Sequence, residues 1–296
     1  MDLLIGASAF VLWAAFPFYF KAVAHVHPGE IIAHRVFWSA VTLIPLAAFL
    51  GQLPAAIRAL KDPLLRRGLL VTSLLTLGNM SLYVLAVVWG HVLEASLAYF
   101  LCPLITVALG VFVLGERLSR AQAAAVLLAA VAVIFLMVQL RVVPYLALSL
   151  AVLFAVYGLQ RKRLPVSPAA GLLVESILGL PAAAALFLWV GVGPGIAYGT
   201  AGLGTTILLS LAGAVTALPL LLWNLGAKRL PLATMGVLQF IVPSLLFVEG
   251  VFIFGEPLEP ARLVAFGLIW VALLLYSLDT WLRARRTASA AASPVR

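Results

Sequence analysis

The stretch Tyr99-Phe100-Leu101-Cys102-Pro103, which runs on to Gly110-Val111-Phe112-Val113-Leu114-Gly115-Glu116-Arg117-Leu118, has a counterpart in the second half of the chain. The counterpart reads Gln239-Phe240-Ile241-Val242-Pro243 and then Gly250-Val251-Phe252-Ile253-Phe254-Gly255-Glu256-Pro257-Leu258. Eight residues are identical at one constant offset: Phe100/Phe240, Pro103/Pro243, Gly110/Gly250, Val111/Val251, Phe112/Phe252, Gly115/Gly255, Glu116/Glu256 and Leu118/Leu258. Repetition at a fixed period indicates that the chain consists of two related halves.

The composition is typical of a chain that is embedded in a membrane. Of its 296 residues, 65% are hydrophobic and only 10% are charged, whereas a soluble domain carries about 25% charged residues. The formal net charge of +9 would suggest a nucleic-acid partner in a soluble protein. Here most Lys and Arg residues fall in short loops, where they set membrane orientation. The sequence therefore predicts a lipid bilayer as the surroundings and no nucleic-acid partner.

Ten apolar segments are long enough to cross a hydrocarbon core of about 30 Å as helices. They cover residues 3–23, 30–50, 67–88, 92–114, 121–140, 144–160, 170–192, 203–226, 230–254 and 261–281. The predicted fold is an all-α membrane protein of ten transmembrane helices in two five-helix repeats, residues 1–140 and 141–282. Residues 51–68 are predicted to form a connection, and residues 283–296 a disordered, basic cytoplasmic tail.

The basic residues fall mainly on one side of these ten helices. That side holds fifteen of the nineteen Lys and Arg residues: Arg58, Lys61, Arg66, Arg67, Arg117, Arg120, Arg161, Lys162, Arg163, Lys228, Arg229, Arg283, Arg285, Arg286 and Arg296. The other side holds Lys21, Arg141 and Arg262, and Arg35 lies within a helix. The positive-inside rule then places both termini in the cytoplasm. Because five is an odd number of helices, the second repeat is inverted relative to the first.

Several short motifs are similar to those of a known transporter superfamily. They are His91-Val92-Leu93-Glu94-Ala95-Ser96-Leu97-Ala98-Tyr99-Phe100, Ala33-His34-Arg35, Val215-Thr216-Ala217-Leu218-Pro219, Gly255-Glu256-Pro257 and Ala265-Phe266-Gly267-Leu268-Ile269-Trp270. In these motifs the chain resembles the drug/metabolite transporter superfamily of EamA type, and most of all its RarD-like permeases, named for a chloramphenicol-sensitivity phenotype. YddG-like amino-acid exporters belong to the same superfamily. The resemblance implies ten helices around a central cavity, with the fifth and tenth peripheral, and export of small metabolites from bacteria.

Five ionisable residues are expected to share the outer half of the membrane: His34, Arg35, His91, Glu94 and Glu249. Charges within a membrane are costly and normally pair. Arg35 paired with Glu94 or Glu249 would form an outer gate, and a fixed structural ion pair is the alternative interpretation. Glu175 is the equivalent of Arg35 in the second repeat, but inversion places it near the inner face, so these two residues are not expected to pair.

Large amphipathic side chains occur at related positions in both repeats. Tyr83 corresponds to Trp223, and Tyr99 corresponds to Gln239, at the offset that relates the two halves. The predicted solute-binding set is Trp13, Asn79, Tyr83, Tyr99, Trp223, Asn224 and Gln239, with Phe16 completing the wall. In a central cavity these groups would bind a zwitterion or an aromatic solute by hydrogen bonds and stacking. The alternative is that they pack helices together or anchor them at the membrane interface.

Pro103 and Pro243 each remove a helix hydrogen bond near the middle of the membrane. We interpret them as hinges that let the fourth and ninth helices rock. A static kink that shapes the cavity is the alternative interpretation.

Enzyme signatures are absent from the sequence. There is no Walker A motif for nucleotide binding, and His91-x-x-Glu94 has too few companions for a zinc site. We therefore predict that the chain is not an enzyme and has neither a cofactor nor a metal.

The preferred function is a secondary transporter that exports small metabolites, amino acids above all, across the inner membrane by alternating access. One alternative is efflux of amphiphilic drugs such as chloramphenicol. An alternative of another class is a membrane sensor or assembly factor without transport. The inverted repeat argues against it, because such a repeat supplies two related conformations. The expected partners are a small-molecule substrate and lipid, and a second copy of the chain is a candidate through the small residues of Ala123–Ala132.

Overall fold

The computed structural model describes residues 2–88, 91–140, 145–253, 255 and 259–292. The side chain of Glu94, the residues Arg141, Glu256 and Arg296, and the side chains of Arg285 and Arg286 lie outside what is described. The described elements are all α-helices: α1 Asp2–Ala14, α2 Phe16–Ala22, α3 Pro28–Phe49, α4 Leu53–Lys61, α5 Pro63–Val88, α6 Val92–Leu114, α7 Arg120–Leu140, α8 Tyr145–Arg163, α9 Pro168–Val192, α10 Leu203–Arg229, α11 Leu232–Leu238, α12 Ile241–Phe252 and α13 Pro260–Ala292.

Within these ranges, nine helical stretches are long and apolar enough to cross a membrane, two of them formed jointly by α1 with α2 and by α11 with α12. The tenth stretch is α8, whose last turn is the basic run Arg161-Lys162-Arg163. The prediction of an all-α membrane protein with ten helices is therefore confirmed.

The helices pack in a pattern that is nearly unchanged when the two halves are exchanged. α3 packs against α9, and α7 against α13, in both cases joining equivalent helices of the two halves. α10 contacts both α1 and α3, just as α5 contacts both α8 and α9. Such a pattern is expected of two related halves that pack against each other.

The small residues of α7 pack within the chain itself. Ala125, Ala129 and Ala132 are buried in one apolar cluster with Phe266 and Ile269 of α13. This arrangement favours the interpretation of the small-residue run as close packing inside one bundle. The homodimer stays a prediction.

Helices α3 and α9 begin in the same way. α3 starts at Pro28 after His27, whose Nδ1 accepts a hydrogen bond from the Gly29 amide at 3.2 Å. α9 starts at Pro168 after Ser167. Proline suits the first helical position, because its missing amide would have no partner there. These equivalent starts fix the N-terminal ends of α3 and α9, which carry the charged residues Arg35 and Glu175.

Two predicted helices are interrupted, which corrects their predicted continuity. The first breaks at Ala15 between α1 and α2, and the ninth breaks at Gln239 and Phe240 between α11 and α12. Pro17 and Pro243 cannot donate to the carbonyl groups of Trp13 and Gln239, four residues earlier. The Val242 amide bonds the Gln239 carbonyl instead, at 3.1 Å. A proline two or three residues into a helix thus accounts for each break.

The two prolines interpreted as hinges differ in their surroundings. Pro103 lies inside the unbroken helix α6, whereas Pro243 follows the break between α11 and α12. Any hinge at Pro103 therefore acts within a continuous helix, and the hinge role of both residues stays a prediction.

Two other regions also correct the sequence interpretation. The stretch predicted to be a connection contains helix α4, which buries Ala56 and Ala59 and carries Arg58 and Lys61 in its last turn. The Asp62 carboxylate then caps α5 by accepting from the amides of Leu64 and Leu65 at 2.8 and 3.2 Å. The tail predicted to be disordered continues α13 as a helix as far as Ala292.

Two close helix crossings each place a serine against a glycine. The two crossings occupy equivalent positions, with the serine and the glycine exchanged between the halves. At one crossing, Ser39 of α3 donates to the Gly213 carbonyl of α10 at 3.3 Å. At the other, the Ser73 hydroxyl of α5 lies beside Gly179 of α9 and donates to the Glu175 carbonyl at 2.9 Å. A Cβ atom added at Gly213 would overlap the backbone carbonyl of Trp38. Gly213 therefore allows α3 and α10 to approach backbone to backbone.

We predict that Gly213→Ala lowers stability by about 1–3 kcal/mol, because backbone atoms of Trp38 occupy the space that the methyl group needs. The matched control is Gly204→Ala in the first turn of the same helix, where an added Cβ would meet nothing. The measurement is the thermal unfolding midpoint of each purified variant in detergent. Equal midpoints for the two variants would contradict the close crossing.

Candidate solute cavity

A cavity lies between α3, α5, α9 and α10 and contains about 480 Å³ of space, including its open side. Its walls contain six pairs of residues that are equivalent in the two halves: Arg35/Glu175, Val36/Ser176, Ser39/Gly179, Thr76/Thr216, Leu77/Ala217 and Met80/Leu220. A space lined by both members of each pair lies where the two halves meet.

Arg35 of α3 lies at one side of this cavity. Its Nε donates to the Thr216 hydroxyl of α10 at 2.8 Å. The guanidinium carbon lies 5.6 Å from the ring centre of Phe16 and 5.4 Å from that of Phe20, which are cation–π distances. Tyr19, Tyr99 and Tyr83 lie within electrostatic range of this charge. A cation among aromatic rings and hydroxyl groups can hold an anion.

Glu175 of α9 lies on the other side of the cavity and is held by groups from neighbouring helices. Its Oε1 accepts from the Thr72 hydroxyl of α5 at 2.6 Å and lies 3.3 Å from Nε of Arg161. Its Oε2 accepts from the Tyr157 hydroxyl of α8 at 3.4 Å. The carboxylate therefore has its counter-charge and its hydrogen bonds within the chain.

Arg161 completes this polar network and is fully buried. Its Nε donates to the Asn224 amide oxygen of α10 at 2.8 Å, and its Nη2 to the Pro168 carbonyl at 3.3 Å. Asn224 in turn donates to the Tyr157 hydroxyl at 3.1 Å. Gly171 leaves room for the guanidinium, which an added Cβ there would overlap. The network ties α5, α8, α9 and α10 together at one end of the cavity.

Sequence reasoning missed the role of Arg161. The residue is the first of three consecutive basic residues at a helix end, and such runs normally indicate only orientation. Two signals point to it: Glu175 inside a span requires a cation, and Arg161 stands one helical turn after Tyr157, whose hydroxyl is a further donor. The side chain extends from the helix end back toward the buried carboxylate.

Of the two ion pairs predicted for an outer gate, only the pair of Arg35 with Glu249 falls within the described residues. Arg35 bonds Thr216, whereas Glu249 Oε2 is buried without a hydrogen-bond partner among the described residues. The Glu94 side chain is not described, and His91 is the exposed residue that precedes α6. The predicted pair of Arg35 with Glu249 is therefore absent from this structure.

His34 belongs to a structural cluster that was also missed. Glu30, fully buried, accepts from the backbone amides of Ala197 and Tyr198 at 2.9 and 2.8 Å. The His34 ring stacks on Tyr198 at 4.5 Å between ring centres and accepts from the Trp38 indole at 3.2 Å. These contacts fasten the connection between α9 and α10 to helix α3.

The seven residues predicted to bind solute do not form one wall, and none of them lines the 480 Å³ cavity. Trp13 packs on Phe10 and Phe154, Asn79 donates to the Leu150 carbonyl, Trp223 is buried against Tyr157, Asn224 bonds Arg161, and Gln239 bonds Thr106 and Cys102. Tyr83 and Tyr99 are the members of the set that lie near Arg35. Interhelical packing is thus the better account of Trp13, Trp223 and Asn224.

Comparison with known proteins identifies the family. Residues 1–138 match the model of the EamA-like transporter family. The chain is 39% identical to the "Uncharacterized transporter YojE" of Bacillus subtilis, covering 95% of each chain. It is 38% identical to the "Protein RarD" of Salmonella typhimurium, covering 93% of this chain and 94% of that protein. The chain belongs to the EamA-like transporter family.

The fold of this EamA-like transporter also matches a solved structure. A crystal structure that is 22% identical superposes with a TM-score of 0.73, covering 94% of this chain and 97% of the other. The resemblance to RarD-like permeases is confirmed, and the chain is a multi-pass membrane protein of a transporter family.

We predict that Arg161→Ala lowers the stability of this EamA-like transporter by about 3–5 kcal/mol, because it leaves the buried Glu175 carboxylate without its counter-charge. The double variant Arg161→Met/Glu175→Met removes both charges and should lose less. Arg58→Ala, exposed on α4, is the control and should change stability by no more than about 0.5 kcal/mol. Thermal unfolding in detergent measures all three. A double variant that is less stable than Arg161→Ala would contradict the ion pair.

Proposed function

We propose that this transporter exports small metabolites, amino acids above all, across the bacterial inner membrane by alternating access. The observation that carries the proposal is the cavity lined by six pairs of equivalent residues. In transporters built from inverted repeats, the substrate site lies where the two repeats meet. We take the repeats to be residues 1–140 and 141–282. The first residues of the second repeat, 141–144, lie outside the described residues.

The lining of the cavity offers the kinds of group that bind an amino acid. Hydroxyl groups of Ser39, Thr76 and Thr216 offer hydrogen bonds, and Met80 and Leu220 offer apolar surface. Sites of this kind combine a mainly apolar wall with a few placed polar groups. An amphiphilic drug such as chloramphenicol is the second candidate, favoured by the aromatic rings beside Arg35.

Alternating access requires elements that can adopt two arrangements, and three features of the structure are candidates. The breaks between α1 and α2 and between α11 and α12 divide two spans. The Ser39/Gly213 and Ser73/Gly179 crossings allow related helices to slide at close range. The Arg161 network joins four helices at one end of the cavity, so that breaking it would open that end. These features support rocking of one half against the other.

The orientation that we propose has both termini in the cytoplasm, because the basic residues concentrate on that side. A reporter fused after Arg296 should be active only in the cytoplasm, and one inserted between Gly193 and Gly202 only in the periplasm. Paired alkaline phosphatase and green fluorescent protein fusions measure this. Both sites reporting the same side would refute the inverted arrangement.

The transport proposal is tested with purified protein in liposomes and a panel of labelled amino acids together with chloramphenicol. We expect counterflow of at least one amino acid. Met80→Trp should abolish it while leaving the yield of folded protein unchanged, because the indole fills the cavity. Leu274→Trp, exposed on α13, is the matched control and should transport normally. Flux of chloramphenicol alone would favour the second candidate, and no flux of any solute would favour a sensor or assembly factor.

A further inference from the structure

Arg35 and Glu175 hold equivalent positions in the two halves, and both line the same cavity. They carry opposite charges, and among the described residues only Glu175 has a counter-ion. Glu175 has Arg161 as counter-ion and receives hydrogen bonds from Thr72 and Tyr157. Among the described residues, no carboxylate lies within ion-pair distance of Arg35.

The groups around Arg35 stabilise a cation but do not neutralise it. Phe16 and Phe20 contribute the negative faces of their rings, and the phenol groups of Tyr19, Tyr99 and Tyr83 lie nearby. A cation held at membrane depth without a counter-charge is costly, and such residues typically mark the path of a substrate or ion. A compensating anion from outside the chain would lower that cost.

The geometry of the guanidinium suits one class of anion. Its Nε is occupied by Thr216, and its terminal amino groups have no hydrogen-bond partner among the described residues. The planar fork of arginine binds a carboxylate through two parallel hydrogen bonds, which an ammonium group cannot reproduce. The neighbouring aromatic rings suit an apolar or aromatic substituent next to that carboxylate.

We propose that Arg35 is the subsite that binds the carboxylate of the transported solute. The proposal rests on the transport function proposed above and narrows its substrates to small carboxylates, amino acids included. The carboxylate of the solute would be the counter-ion of Arg35, as Glu175 is the counter-ion of Arg161. Amines and neutral amphiphiles, chloramphenicol among them, lack this group and would bind weakly.

The first test uses the wild-type protein and four ligands that share one phenyl ring. Phenylalanine and 3-phenylpropionate carry a carboxylate, whereas phenethylamine and phenylalaninamide do not. Binding is measured by ligand-induced stabilisation of the purified protein against heat, which depends on binding to the folded state alone. We expect the two carboxylates to bind at least about tenfold more tightly than the other two, since hydrogen bonds to charged groups contribute that much or more. Equal binding of all four, or of the two amines alone, would overturn the proposal.

The second test compares variants. Arg35→Gln should lose the preference for carboxylates, and Arg35→Lys, which keeps the charge without the fork, should retain part of it. Arg58→Gln on α4 is the control and should behave as the wild type. Retention of the full preference by Arg35→Gln would overturn the proposal, and if that variant does not fold, the wild-type series decides.

The two proposals fail in different ways. Carboxylate binding that depends on Arg35, without flux of any solute in liposomes, would refute the transport function and leave the subsite in place. Flux that is indifferent to the carboxylate and to Arg35 would refute the subsite and leave the transport function in place.

Discussion

The hydrocarbon core of a bilayer provides no water, so the chain must satisfy its own polar groups. This constraint explains the all-helical fold, and it also explains why side chains cap the helix ends. Glu116 accepts from the Leu232 and Ala233 amides at 2.7 and 2.8 Å and thereby caps α11, a helix of the other half. Gln52 does the same for Ala169 at the start of α9. Side chains that cap distant helices satisfy backbone amides and fix the relative positions of the halves.

The same constraint separates two kinds of buried charge. Arg161 and Glu175 form a pair whose remaining hydrogen bonds come from hydroxyl, amide and carbonyl groups. Buried pairs of this kind add less to stability than their attraction suggests, because both charges lose their hydration. Their contribution is to specify which helices meet, here four of them at one end of the cavity. Among the described residues, Arg35 has aromatic and hydroxyl neighbours instead, and its charge is the one that we propose for ligand binding.

The sequence predicted the all-helical class and the ten helices well, because lipid imposes simple rules on span length and polarity. The duplication indicated which positions are equivalent, and the six cavity pairs follow that register. The contacts of individual side chains were harder to predict from the sequence. Arg161 sits in a basic run, so its charge was interpreted as an orientation signal, and Trp223 was predicted to line a cavity although it is fully packed. A basic side chain at a helix end can point outward to the membrane surface or back into the protein. Tertiary contacts decide between the two, and no local sequence pattern contains them.

Helix α4 has no equivalent in the described part of the second half, where residues 193–202 form turns fastened by Glu30. α4 packs on both α5 and α9, which belong to different halves. If the halves were identical, a protein that alternates between two shapes related by exchange of the halves would populate both equally. One extra helix that rests on both halves removes that equality, and an imbalance of only about 1.4 kcal/mol gives a tenfold excess of one shape. A carrier with such an unshared helix is therefore expected to favour one of its conformations over the other at rest.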